Sequence, residues 1–301
     1  MAAPASAAVI PAAETRDILA EFVAYREAED MASAVRTYGE MADWLFERAV
    51  REPGWDPCKR SIVSSFMPKS GGTYTFNRLK SCGYVEYFWG ITHRKAHRFV
   101  YPVPRALANY LKGGMACHTH FLPTADTMHM LDAAGVDRVW VHLRDPRETV
   151  ASSYYHNLGI GQGSGTIGEE RARQARDQAA RNGVDVELGN AEKANAFFRL
   201  RIGVMVDWAA QWLELAVARP GYVVFSTFAE MRDPRAMLER VFTEFGMTIE
   251  VPELPTSLPE DRRRTEHSHD WREGLTDDTL ALVNETVQSR LDRFELTSAL
   301  L

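Results

Sequence analysis

The sequence predicts an α/β fold with a central parallel sheet flanked by helices. Three observations predict it. Residues 61–67 form a short apolar run that passes through a glycine-containing loop into a helical pattern. Residues 139–143 form a second apolar run that passes at once into a capped helix. Strand-like and helix-like segments go on alternating as far as Phe294, the arrangement that buries a parallel sheet between helical layers.

The first run, Ser61-Ile62-Val63-Ser64-Ser65-Phe66-Met67, is rich in β-branched and apolar residues, and Thr73 to Cys82 reads as a helix stopped by Gly83. Between them lies Pro68-Lys69-Ser70-Gly71-Gly72-Thr73-Tyr74. Glycines in such a loop let backbone N–H groups turn inward, and the helix N-terminus adds partial positive charge, so the loop cradles an anion. This makes the predicted architecture a three-layer fold of the P-loop type. In a nucleoside-triphosphate loop the lysine follows the last glycine and precedes Ser or Thr. Here Lys69 precedes both glycines and no Gly-Lys dipeptide occurs in the chain, which disfavours an ordinary ATP or GTP site.

The second run, Val139-Trp140-Val141-His142-Leu143, reads as a buried strand and ends in Arg144-Asp145-Pro146-Arg147-Glu148. Asp145 is a good N-cap, Pro146 suits the first helical position, and Glu148 has the spacing to reach back to the cap. Arg144 is thereby set at a strand's C-terminal end, where open α/β sheets bind ligands. Ser152 follows two turns into the helix.

These residues resemble the sulfotransferases that use 3′-phosphoadenosine 5′-phosphosulfate as sulfuryl donor. That family's first signature, Pro-Lys-Ser-Gly-Thr-Thr-Trp, is matched at Pro68, Lys69, Ser70, Gly71 and Thr73, with Gly72 for a Thr and Tyr74 for the Trp. Its second, an Arg at a strand end and a Ser eight positions later, is matched at Arg144 and Ser152. Cys117-His118-Thr119-His120-Phe121-Leu122-Pro123 is similar to the family's Lys-Thr-His-Leu-Pro segment with one extra residue before Leu. Val223 to Pro234 resembles its strand, Tyr-Glu-Asp-Leu and helix-start region, and Arg272-Glu273-Gly274 its late Arg-Lys-Gly element, without the second Gly. The resemblance runs from about Ser61 to Gly274 in the family's order.

The resemblance implies a division of labour. Lys69, Ser70, Gly71, Gly72, Thr73 and Tyr74 grip the 5′-phosphosulfate end, Arg144 and Ser152 read the 3′-phosphate, Phe228 contacts the adenine, and Arg272 is a further 3′-phosphate contact. Lys69 and His120 are the catalytic residues, His120 as the base. The donor is a cosubstrate that leaves as adenosine 3′,5′-bisphosphate, and no metal is required. The acceptor is a hydroxyl, or in second place an amine, of a small molecule, lipid or carbohydrate. Two other readings stand beside this one: a P-loop kinase-like phosphoryl transferase, which needs Mg²⁺, and a non-catalytic nucleotide-binding sensor.

Composition agrees with one globular α/β protein. The 301 residues are 45% hydrophobic, enough to bury a substantial core. A net charge of −6 argues against a nucleic-acid partner. No stretch approaches a transmembrane span, and homodimerisation stays open. The opening Met1-Ala2-Ala3-Pro4-Ala5-Ser6-Ala7-Ala8 lacks the basic region of a secretory signal and reads as a disordered lead-in. Cys58, Cys82 and Cys117 show no metal-like spacing and leave an odd thiol if any two pair, which points to a reducing compartment and a cytoplasmic location.

Residues 1–57 are expected to form the lead-in and helices packed on the core, with helical spacing from Glu14 to Val50 and a break at Pro53-Gly54-Trp55-Asp56-Pro57. Residues 58–301 are expected to form the P-loop domain, with insertions at about 84–114 and 157–195. The first insertion is aromatic and irregular, the second polar and rich in Gly, Arg and Glu, and the acceptor pocket is expected between them. Phe197 to Ala216 reads as a long helix in which Trp208 and Trp212 are core, and Thr276 to Phe294 as a final amphipathic helix.

Each of these residues also has a plain structural role to be weighed. Arg144 can serve a structural ion pair, Ser152 can bond to a backbone carbonyl as helical serines commonly do, and Tyr74 and Phe228 can be core aromatics. His93 with His97, His118 with His120, and His267 with His269 each have the spacing to begin a metal site, but no acids or cysteines complete one in the sequence. Met115 to His120 reads as a strand that carries His120 to its C-terminal end, and an imidazole there is suited to accept a hydroxyl proton near neutral pH.

Overall fold

The computed structural model describes residues 30–92, 100–159, 189–253 and 270–294, with short stretches between 169 and 187. Residues 1–29, His93, His97, His267, His269 and nearly half of the 157–195 segment lie outside the described residues.

In chain order the elements are α1 (Met31–Ala49), β1 (Ser64–Phe66), α2 (Gly72–Ser81), β2 (Val85–Glu86), β3 (Gly90–Thr92), β4 (Val100–Pro102), α3 (Pro104–Tyr110), β5 (Met115–Ala116) and α4 (Ala125–Ala133). There follow β6 (Val139–Leu143), α5 (Pro146–Asn157), α6 (Ala191–Ala218), β7 (Val223–Thr227), a 3-10 turn (Phe228–Arg232), α7 (Pro234–Glu244) and α8 (Asp277–Leu291). The protein is α/β, with a three-stranded parallel sheet in the order β1-β6-β7 flanked by helices. Two compact units divide the chain, one of positions up to 64 and 79–139, the other of 65–78 and from 140 onwards.

In the first unit α1 packs against α3 and the β3–β4 hairpin. Asp43 ties α1 to α3 by pairing with Arg105 and accepting from Asn109 Nδ2 at 2.9 Å. Hydrogen bonds from Arg105, foremost, hold the Asp43 carboxyl down at about 2, below the usual carboxylate range. Strand β2 runs parallel to β5, and Ile62 bridges to Ala116 beside it. The segment 84–114 is therefore not irregular as its composition suggests. Four of its aromatics are core material, Trp89 and Tyr110 fully buried and Tyr84 and Tyr87 nearly so, while Phe88 is exposed, and that burial organises three short strands and a helix.

In the second unit β6 is buried along its whole length and spans the residues expected from the sequence. Asp145 caps α5 as expected, accepting from Arg147 N at 2.8 Å, with Pro146 in the first turn. Glu148 does not close a capping box on Asp145, because the Arg144 guanidinium takes its carboxylate at 2.9 Å. Helix α6 packs against α5 and α8, and Trp208 and Trp212 are buried in the core as their helical spacing predicts. No helix among the described residues is long and apolar enough to cross a membrane.

Candidate active site

The loop after β1 has a backbone few sequences adopt. Lys69 stands at φ 64° and is the only non-glycine residue at positive φ among the described residues; Gly71 stands at φ 87°. A left-handed conformation costs an L-residue roughly 1–2 kcal/mol, so the loop holds Lys69 there against its preference. Left-handed residues stand on either side of Ser70, whose own N–H is taken by Met67 O at 3.1 Å; alternating backbone conformations of this kind can form anion-binding concavities. Three successive carbonyls of the loop are turned into the protein. Lys69 O accepts from Arg144 Nη1 at 3.0 Å, Ser70 O meets His142 Nε2 at 2.9 Å, and Gly71 O accepts from Thr75 N at 3.0 Å. The ladder of α2 thus begins at Thr75, and the N–H groups of Gly72, Thr73 and Tyr74 stand ahead of it.

Ser70 itself is fully buried, and its hydroxyl has no hydrogen-bond partner among the described residues. A buried hydroxyl in that state carries a penalty of about 1–3 kcal/mol, which an anion in the cradle would relieve. Thr73 is exposed at the first turn of α2. Tyr74 is half-buried and turned to its own helix, its hydroxyl accepting from Arg78 Nη2 at 3.0 Å under a guanidinium 4.7 Å from its ring.

Gly71 lies against Phe228 and Met231: a Cβ there would meet Met231 Sδ at 2.8 Å and Phe228 at 3.3 Å. The methionine end can swing away, so the positive φ is the stronger constraint. Gly71→Ala should lower stability by about 1 kcal/mol or more, as read by thermal unfolding. Unchanged stability in that variant would mean the loop is not held in this shape.

Arg144 joins the loop to the second signature within one unit. Besides Lys69 O and Glu148, its guanidinium lies 4.1 Å from the centroid of Phe228, close enough for cation–π attraction. One face of that ring is therefore taken. Phe228 is fixed by a device the sequence reading misses. Glu230 accepts from Thr227 N at 2.7 Å, closing a capping box, and Arg240 holds Glu230 while donating to Phe225 O at 2.8 Å. Ser152 lies half-buried in the second turn of α5.

Arg272 pairs with Asp270 at 2.9 Å and lies over Trp271, which Arg147 also approaches, its guanidinium 5.2 Å from the ring centroid. The exposed Arg272 is thus brought to the start of α5 through a shared tryptophan. Buried Asn195 of α6 anchors the segment, donating to Gly274 O at 3.1 Å and accepting from Thr276 N at 2.9 Å.

His120 belongs to the first unit. The expected strand from Met115 ends at Ala116, and Cys117 to Pro123 is irregular but pinned. Thr119 donates to Ser64 O, and Phe121 is fully buried against Trp89, 5.2 Å between ring centroids. The inserted residue Phe121 is therefore a core anchor. His118 and His120 are both half-buried with ring centroids 4.6 Å apart, edge to face. No group of three or more metal-ligating side chains gathers among the described residues. Burial pushes the Cys82 thiol up to about 11 and Cys117 up to about 12, so neither is an activated nucleophile. The first unit also carries an aromatic groove of about 360 Å³ lined by Tyr38, Tyr84, Tyr87 and Phe88.

The sequence reading also misses His142. Its ring is fully buried and bonded at both nitrogens, to Ser70 O and, at 2.7 Å, to Ser226 Oγ. The available signal is one polar residue in an otherwise apolar strand, since such a group must find partners.

Compared with known proteins, the chain matches no family model and no curated sequence.

Proposed function

We propose that this chain is a P-loop-type sulfotransferase, moving a sulfuryl group from 3′-phosphoadenosine 5′-phosphosulfate to an acceptor hydroxyl. The observation that carries the reading is Arg144, which donates to Lys69 O at 3.0 Å and lies 4.1 Å over Phe228. An anion cradle, a strand-end guanidinium and an aromatic ring in one cluster suit a nucleotide bearing phosphate at both ends of its ribose. The unpartnered Ser70 hydroxyl and the N–H groups from Gly71 to Tyr74 suit the 5′ end.

The donor supplies a sulfuryl group carried on a phosphate that serves as leaving group. Lys69 and the loop N–H groups stabilise the charge that develops there, usually the dominant source of rate enhancement in such transfers. Arg144 and Ser152 hold the 3′-phosphate, with Arg272 beside Trp271 a further candidate. His120 takes the proton of the acceptor hydroxyl as the new S–O bond forms. The acceptor is a small molecule, lipid or carbohydrate, and the free thiols at Cys58, Cys82 and Cys117 suit the cytoplasm.

The protein is expected to bind adenosine 3′,5′-bisphosphate at least about tenfold more tightly than adenosine 5′-monophosphate, as two or more charge-assisted hydrogen bonds would provide. Arg144→Ala should erase most of that difference. Calorimetric titration of both nucleotides, and of ATP with Mg²⁺, decides the matter. Equal affinity for the two adenosine nucleotides, or preference for Mg²⁺-ATP, would overturn the donor assignment.

A further inference from the structure

Two of the three loop carbonyls are held by groups with evident work elsewhere: Lys69 O by Arg144, and Gly71 O by the first bond of α2. The third, Ser70 O, is held by a residue that no motif includes. His142 sits in β6 and is wholly enclosed, with Phe66 and Trp140 rings packed about it at centroid distances of 5.8 and 6.5 Å.

The direction of each bond around His142 follows from donor and acceptor chemistry. Trp140 Nε1 can only donate, and gives its proton to Ser226 Oγ at 2.7 Å. Ser70 O can only accept, so His142 Nε2 carries a proton and donates it across 2.9 Å. With the imidazole neutral, the Ser226 hydroxyl gives its one proton to Nδ1 across 2.7 Å. Every polar group of the relay Trp140, Ser226, His142, Ser70 carbonyl is satisfied in one tautomer and in one orientation of each bond. Such closed buried networks specify a unique arrangement.

A trans peptide is planar, and its C=O and N–H point in opposite directions. Holding Ser70 O on the His142 side therefore turns the Gly71 N–H the other way, to the side of the loop away from the core. Gly71 tolerates this at φ 87°. Left unheld, the Ser70–Gly71 peptide, next to a glycine that tolerates either sign of φ, would flip readily, and a flip would present a carbonyl oxygen to the anion.

We propose that His142 is the positioning residue of the anion cradle: by gripping the Ser70 carbonyl from within the sheet it aims the Gly71 N–H at the bound anion. The ligand half of this inference rests on the function proposed above, whereas the backbone half stands on its own.

The test uses the full chain and three variants. His142→Phe keeps the bulk and loses both bonds. His142→Gln keeps an amide donor for Ser70 O. Val141→Ala, next to it on β6 and equally buried, is the control for a loosened core. Nitrogen NMR of the ligand-free protein should find His142 protonated at Nε2 and bare at Nδ1. Amide exchange across residues 69–74 should speed up about tenfold in His142→Phe, the opening expected from losing one hydrogen bond, and stay within about threefold of the unmutated protein in His142→Gln and Val141→Ala. Affinity for adenosine 3′,5′-bisphosphate should follow the same pattern.

If exchange in His142→Phe is unchanged, or Val141→Ala speeds it equally, the positioning role is overturned. If the unmutated protein binds no bisphosphate but the exchange pattern holds, the donor assignment fails and the positioning of the loop stands. Should His142→Phe not fold, His142→Leu serves instead. It also removes the donor to Ser70 O and is expected to speed Gly71 exchange; unchanged exchange in that variant overturns the inference.

Discussion

Lys69→Ala is expected to depress sulfuryl transfer about a hundred- to a thousandfold, the range for removing one preorganised group that meets transition-state charge. Its affinity for adenosine 3′,5′-bisphosphate should change only a few-fold, since the ground-state cradle is made by backbone groups. Lys69→Gly separates the side chain from the backbone it rides on. With φ at 64°, glycine relieves roughly 1–2 kcal/mol of strain, so this variant should be more stable than Lys69→Ala and equally inactive. Single-turnover rates, bisphosphate titrations and unfolding midpoints give the three readings. Full activity in Lys69→Gly would show that position 69 matters only as a bend in the chain, and would remove the lysine from the mechanism.

His120→Asn is expected to cost roughly a hundred- to ten-thousandfold in rate, the usual worth of a general base, while leaving bisphosphate affinity intact. His118→Asn should retain much of the activity. The comparison is demanding because the two rings lie only 4.6 Å apart and both are half-buried. What separates them is the run Thr119-His120 ahead of Leu122-Pro123, with Phe121 accommodated as a core anchor against Trp89. If His118→Asn were the inactive variant, the base would be His118 and the extra residue would have shifted the register. If neither lost activity, a base elsewhere would have to take the proton, a carboxylate being the next candidate.

Features governed by neighbours in the chain are legible in the sequence. The start of α5 follows from Asp145 and Pro146, the end of α2 from Gly83, and the extent of β6 from an unbroken apolar run. Trp208 and Trp212, one turn apart on α6, fall in the core for the same reason. Sequence patterns mislead where partners come from far along the chain or compete for one group. Glu148 has ideal capping spacing, but a charged guanidinium outcompetes a backbone amide for its carboxylate. The strand expected from Met115 to His120 stops at Ala116, because Thr119 and Phe121 commit their side chains to Ser64 O and Trp89. The aromatic stretch after Gly83 looks shapeless in sequence because no periodicity marks strands of two or three residues.

Sequence alone thus determined an α/β chain, a glycine-bearing loop between a strand and a helix, and an arginine at the end of a second strand, since all three depend on residues within a few positions of one another. Tertiary structure alone decided how that loop is aimed. The left-handed Lys69, the Arg144 bond to its carbonyl, and the relay from Trp140 through Ser226 and His142 to Ser70 join residues up to 86 positions apart. Hydrogen-bond direction is set by which donor faces which acceptor once the sheet is assembled, and no local pattern encodes it.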